Sequence, residues 1–131
     1  ATGYGLAFTP DGRELAVGSD KPGVRVLDAA TGRRLRVAAA GEVVNRLQFT
    51  PDGTRAVFRK WSDKTVRVWD WAADKQVFAF EAGKRSINDA AVSPDGRLLA
   101  VADWDGFARV FDLATGKLQK EFDTNPPGVQ Q

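Results

Sequence analysis

The side chains behind most enzyme chemistry are missing from this sequence, which contains neither histidine nor cysteine. That removes disulfides, zinc sites of the usual Cys/His kind, thiolate nucleophiles and every triad that needs an imidazole base. What remains is 17 carboxylates, 19 Lys and Arg side chains and 4 tryptophans. Paired carboxylates can do acid–base work, but no paired motif is recognisable. The segment Asp103-Trp104-Asp105-Gly106 comes nearest to an oxygen-ligand cation loop and lacks its Asp-x-Asp-x-Asp-Gly spacing. The expectation is no enzyme, no metal and no cofactor. Tryptophan leaves room for binding instead: Trp61 and Trp104 each stand shortly before a turn Asp among charged neighbours, where they read either as rings packed over the adjoining turn or as exposed side chains of the kind that form binding hot spots.

The elements that must position these residues are set by an internal repeat. Thr9-Pro10-Asp11-Gly12 returns at Thr50 to Gly53 and, as Ser-Pro-Asp-Gly, at Ser93 to Gly96, with the prolines 41 and 43 residues apart. Val-Arg-Val-Leu-Asp at Val24 to Asp28 returns as Val-Arg-Val-Trp-Asp at Val66 to Asp70 and Ala-Arg-Val-Phe-Asp at Ala108 to Asp112. Between these turn signals apolar residues alternate or run for a few positions, which is strand patterning. In the second copy it predicts strands at Val44 to Phe49, Arg55 to Lys60, Thr65 to Asp70 and Gln76 to Phe80. The fold class is therefore all-β, in three four-stranded antiparallel units: 1–41, 42–83 and 84–123. A tail at 124–131, with Asn125-Pro126-Pro127-Gly128, reads as a flexible end or linker. Such a unit cannot bury both faces alone, so it must stack against copies of itself.

The Pro-Asp-Gly turns, the Val-Trp-Asp of Val68 to Asp70 with its relaxed forms, and the period together make the chain resemble the WD-repeat β-propeller family over residues 3 to about 123. The resemblance implies a propeller blade per unit and an interaction scaffold. It also implies a relay from a loop His through a strand-two Ser/Thr and a turn Asp to the third-strand Trp. Here the loop glycines Gly41 and Gly83 are followed by Glu42 and Lys84 instead of His, and only Trp69 keeps the indole. With that relay dismantled, apolar packing is expected to hold the blades, and Trp69 and Trp71 are expected in the core. In propellers of this type partners dock on the narrow face, made by the loops between blades and the turns joining strands two and three. Its residues here would be Tyr4, Asn45, Arg46, Asn88 and Asp89, with Arg59, Lys60, Trp61, Asp103 and Trp104. Arg25, Arg67 and Arg109 recur at one strand position, as solvated or inter-blade ion-pair residues.

Three blades do not close a ring, since propellers need roughly four to eight, and an open arc exposes apolar faces. Ala7, Val17 and Val26 at one end look as apolar as Ala91, Val101 and Val110 at the other. The partner expected first is the chain itself, as a trimer of nine blades in preference to a dimer of six, with an unknown protein or peptide as the second. A structural assembly unit, or a piece of a longer propeller, is the alternative reading. Lys and Arg are interleaved with acidic residues, so the net charge of +2 gives no single basic face and no nucleic-acid partner. No run of about eighteen apolar residues offers a membrane span, no basic-then-apolar leader is present, and a cytoplasmic location is the expectation.

Overall fold

A computed structural model describes residues 5–61 and 63–124. Tyr4 and the Asn125-to-Gly128 segment lie outside them. The first sheet holds β1 (Gly5–Phe8), β2 (Glu14–Gly18), β3 (Val24–Asp28) and β4 (Arg34–Ala38). The second holds β5 (Arg46–Phe49), β6 (Arg55–Arg59), β7 (Thr65–Asp70) and β8 (Lys75–Glu81). The third holds β9 (Ile87–Val92), β10 (Leu98–Asp103), β11 (Phe107–Asp112) and β12 (Leu118–Asp123). Each sheet is antiparallel with its strands in chain order, and no helix occurs among the described residues.

The same turn chemistry closes the first hairpin of every sheet. The amide of Gly12 donates to the Thr9 carbonyl at 2.8 Å, with Gly12 at a φ of 73° that favours glycine. The Asp11 carboxylate accepts from the Thr9 hydroxyl at 2.7 Å and the Arg13 amide at 3.0 Å. Asp52 and Asp95 repeat the arrangement with Thr50 and Ser93. These bonds hold all three carboxyls below their ordinary range. Between the third and fourth strands the ladder shifts register at Val26/Leu27, Val68/Trp69 and Val110/Phe111, so one irregularity is repeated in all three sheets.

Sheets stack face to face through their first strands. A Cβ on Gly18 would overlap the Val44 carbonyl oxygen, and one on Gly5 would overlap that of Asn45. Glycine at both positions is thus what lets the second sheet close on the first. Large side chains of one sheet enter the small-residue face of the sheet before it. Leu47, Phe58, Trp69 and Trp71 of the second sheet pack with Ala16, Val24 and Val26 of the first. Leu99, Val101, Phe111 and Leu113 of the third pack with Val57, Val66 and Val68 of the second.

This stacking corrects the expected end faces. Val26 and Val101 are sealed inside the two internal junctions, and Ala7 packs against the first of them. Strand alternation puts Val17 on the opposite side from Ala16, while Ala91 and Val110 lie opposite Val92 and Phe111. The end faces are therefore Leu6, Phe8 and Val17 on the first sheet, and Ala91, Ala100, Ala102, Ala108 and Val110 on the third. Leu6 and Phe8 are each 63% exposed. Val44 and Asn45 stand outside β5 because they pack across the junction, as Val44 is buried in its core and the Asn45 side chain crosses to the first sheet.

A polar tie also crosses this junction. The Asp74 carboxylate accepts from the Trp69 indole at 3.0 Å and from the amide of Ala39 at 2.9 Å. The histidine relay is absent, and an exposed carboxylate in the turn after β7 takes up the Trp69 indole instead.

Candidate functional site

The turns β2–β3, β6–β7 and β10–β11 gather at one end of the stack, the end from which each chain segment crosses to the next sheet. Trp61 and Trp104 are 65% and 63% exposed there. Each is carried on a turn that polar side chains hold in place.

Asn45 fixes the Trp61 turn. Its side-chain amide donates to the Ser19 carbonyl at 3.0 Å, and its Oδ1 accepts from the amide of Trp61 at 2.6 Å. Its own amide donates to the Arg59 carbonyl at 3.1 Å. The Arg46 guanidinium then lies over the Trp61 ring, 4.8 Å from its centre, a geometry in which ring and cation attract.

Asp103 fixes the Trp104 turn. Its carboxylate accepts from Arg109 and from the amides of Lys84, at 3.3 Å, and Asp105, at 2.9 Å. Arg109 turns its Nε to Glu121 at 2.7 Å and lies over the Phe107 ring, 5.3 Å from its centre. Both Asp103 and Arg109 are buried. Burial pushes the Asp103 carboxyl up, yet hydrogen bonds from Arg109 and from the Asp105 and Phe107 amides outweigh it and hold the group below its ordinary value. For Arg109 burial works against the charge, and bonding to Asp103 and Glu121 wins, so its pKa is raised.

The residues expected on this face divide accordingly. Trp61, Trp104, Asn88 and Asp89 are exposed and Arg46 is half-buried. Asn45 and Arg59 are corrections: both are buried, Asn45 because it bridges two turns and Arg59 because it reaches across to Asp89 at 3.6 Å. Desolvation lowers the Arg59 pKa, with Asp89 acting against it. Asp103 is likewise interior. The recurrent arginines do not form inter-blade pairs; each turns back on its own sheet. Arg25 donates to the Pro22 and Gly23 carbonyls, Arg67 pairs with Asp63 at 3.9 Å and Arg109 holds Asp103. Periodicity could not flag Asp103 and Asp74 as structural, because Asp103 ends β10 beside a turn and Asp74 stands in one, both places where an Asp is ordinary. Among the described residues no group of His, Cys, Asp or Glu is arranged to hold a metal ion, and no helix is long and apolar enough to cross a membrane.

Comparison with known proteins gives matches to the WD domain, G-beta repeat, at residues 33–70 and 74–112. Each matched unit takes the fourth strand of one sheet with the first three of the next, so the sequence repeat spans a junction. Telomerase protein component 1 of Mus musculus is 28% identical over 125 residues, covering 95% of this chain and 5% of that protein. WD repeat and SOCS box-containing protein 1 of Homo sapiens is 33% identical over 94 residues, 70% of this chain and 22% of that one. Protein groucho of Drosophila melanogaster is 27% identical over 121 residues, 90% and 16% respectively. The chain thus spans a minor part of each of these relatives.

Asp103 yields a pH prediction. A carboxylate held below its unfolded pKa contributes stability that is present above about pH 4 and lost as pH falls further. Urea midpoints are therefore expected to stay level from neutral pH to about 5 and to drop below about 4. Asp103→Asn should cost about 2–4 kcal/mol at pH 7, since it leaves the buried Arg109 with the more exposed Glu121 as its remaining counter-charge, and should shrink the acid limb. An acid limb unchanged by the substitution would contradict the assignment.

Proposed function

Because the chain belongs to the WD-repeat family, whose members generally act as protein-interaction scaffolds, we propose that it is a non-catalytic scaffold that captures a protein or peptide on the face carrying Trp61 and Trp104. The observation that carries this reading is the pair of largely exposed indoles on turns held by buried polar side chains. An indole on a rigid turn loses little conformational freedom on binding, and Trp flanked by Arg is typical of hot spots. Arg46, Asn88 and Asp89 supply a polar rim around them.

The second part of the proposal concerns the end faces. Leu6 and Phe8 occupy in the first sheet the repeat positions of Leu47 and Phe49, which enter the neighbouring sheet. At the other end an alanine-lined depression of about 170 Å³ involves Ala91, Ala100, Ala102 and Ala108. A large-residue face and a small-residue face of one repeat design suit head-to-tail closure between copies. We favour nine blades in a trimer over six in a dimer, because small residues at the junctions permit a shallow angle between blades.

Two measurements test this. Peptides selected from a displayed library against the intact protein should lose at least about tenfold in affinity with Trp61→Ala or Trp104→Ala, consistent with hot-spot magnitudes, while the free energy of urea unfolding stays within about 0.5 kcal/mol. Unchanged affinity in both variants would remove the binding face. Light scattering should return three times the monomer mass of 14.2 kDa. Twice that mass would replace the trimer by a dimer, and a stable monomer would overturn closure between copies.

A further inference from the structure

At the end of the stack opposite Trp61 and Trp104, the two internal junctions each form a cleft from repeat-equivalent residues, and the two clefts differ in what fills them. The first, of about 200 Å³, is bounded by the Thr9-to-Asp11 turn, Glu14, the Asp52-Gly53 turn and Trp71. The second, of about 600 Å³, has the counterpart of every one of these residues: the Thr50-to-Asp52 turn, Arg55, the Asp95-Gly96 turn and Leu113. In the first cleft the chain supplies its own occupant. Trp71 meets Phe49 edge-on at 4.8 Å between ring centres, and the Arg36 guanidinium covers the indole at 5.0 Å while reaching the Glu14 carboxylate at 3.3 Å. In the second cleft Leu113 replaces Trp71, Val92 replaces Phe49 and Phe78 replaces Arg36, so the arginine–indole pair is gone and the space is left open.

We propose that the cleft between the second and third blades takes an aromatic side chain flanked by a basic one from a peptide partner, in the place that Trp71 and Arg36 fill in the first junction. Pro51 and Ala114 give it exposed apolar edges over a floor of buried Val68 and Leu113, which suits a ring laid across its mouth. Its rim carries the carboxylates of Asp52, Asp95 and Asp112. Asp52 and Asp95 stay ionised because their turns hold them below the ordinary range. Arg97 also lines the rim, and Arg55 turns inward to the Leu113 carbonyl at 3.2 Å. Carboxylates therefore outnumber guanidiniums at the mouth, and the complementary ligand is cationic. This site is separate from the tryptophan face and does not depend on it.

The test is titration of the intact protein, isotopically labelled, with a short capped peptide carrying adjacent Arg and Trp, followed by NMR. Saturable shifts are expected at Arg97, Leu113 and Ala114. Leu113→Trp, which restores the first junction's occupant, should weaken binding at least about tenfold. Asp52→Asn with Asp95→Asn should weaken it about threefold, and leave a peptide with Ala in place of Arg unaffected. If Leu113→Trp does not fold, the carboxylate variant decides alone. No saturable shift at millimolar peptide, equal binding by the variants, or shifts confined to the Trp61 and Trp104 turns would overturn the assignment. A mass that rises with concentration and is lowered by Leu113→Trp would give the cleft to a second copy, and equally overturn it.

Discussion

The entry of large side chains from one sheet into the small-residue face of the sheet before it is the interaction on which the rest of this structure depends. Leu47, Phe58 and Trp69 pack against Ala16, and Gly18 and Gly5 let the backbone of Val44 and Asn45 come close enough for them to do so. Burying such side chains is worth on the order of 1.5–3 kcal/mol each, while a lone four-stranded sheet would leave both its faces wet. Every blade is consequently stable only as a neighbour of another, and the sequence unit recognised as the family's repeat crosses a junction instead of coinciding with a sheet.

Polar groups refine this stack. Asp74 ties Trp69 to the amide of Ala39 across the first junction, Asn45 ties two turns together, and Asp103 with Arg109 anchors the third sheet's turn. Each network is short and local, and each is built without histidine. Backbone bonds to Asn45 and Asp103 fix the turns that carry the two largely exposed indoles.

Much of this was legible beforehand, for identifiable reasons. Thr65 to Asp70 is both the expected and the observed strand, since β-branched alternation and the flanking turns bound it on both sides. The recurrent Pro-Asp-Gly turns marked the hairpins because their glycines require a positive φ. What the pattern could not give was the direction of each strand's faces. Val17 and Val26 are equally apolar, and where both faces of a sheet are buried, alternation carries no polarity to tell inner from outer. Burial of polar side chains was equally hidden: Asn45 looks like a surface residue until it bridges the turns of the first and second sheets, and Arg59 until it reaches Asp89 of the third.

The proposed mating of the two end faces in the manner of the internal ones is directly testable because the chain contains no cysteine. Leu47 approaches Gly18 across the first junction, its Cδ2 3.6 Å from where a Cβ would stand; the repeat-equivalent pair at the ends is Leu6 and Ala102. Leu6→Cys combined with Ala102→Cys should form disulfides between chains under mild oxidation, giving a closed ladder of linked species on a denaturing gel, while either single variant stays monomeric on that gel. A folded double variant that remains unlinked would contradict the account.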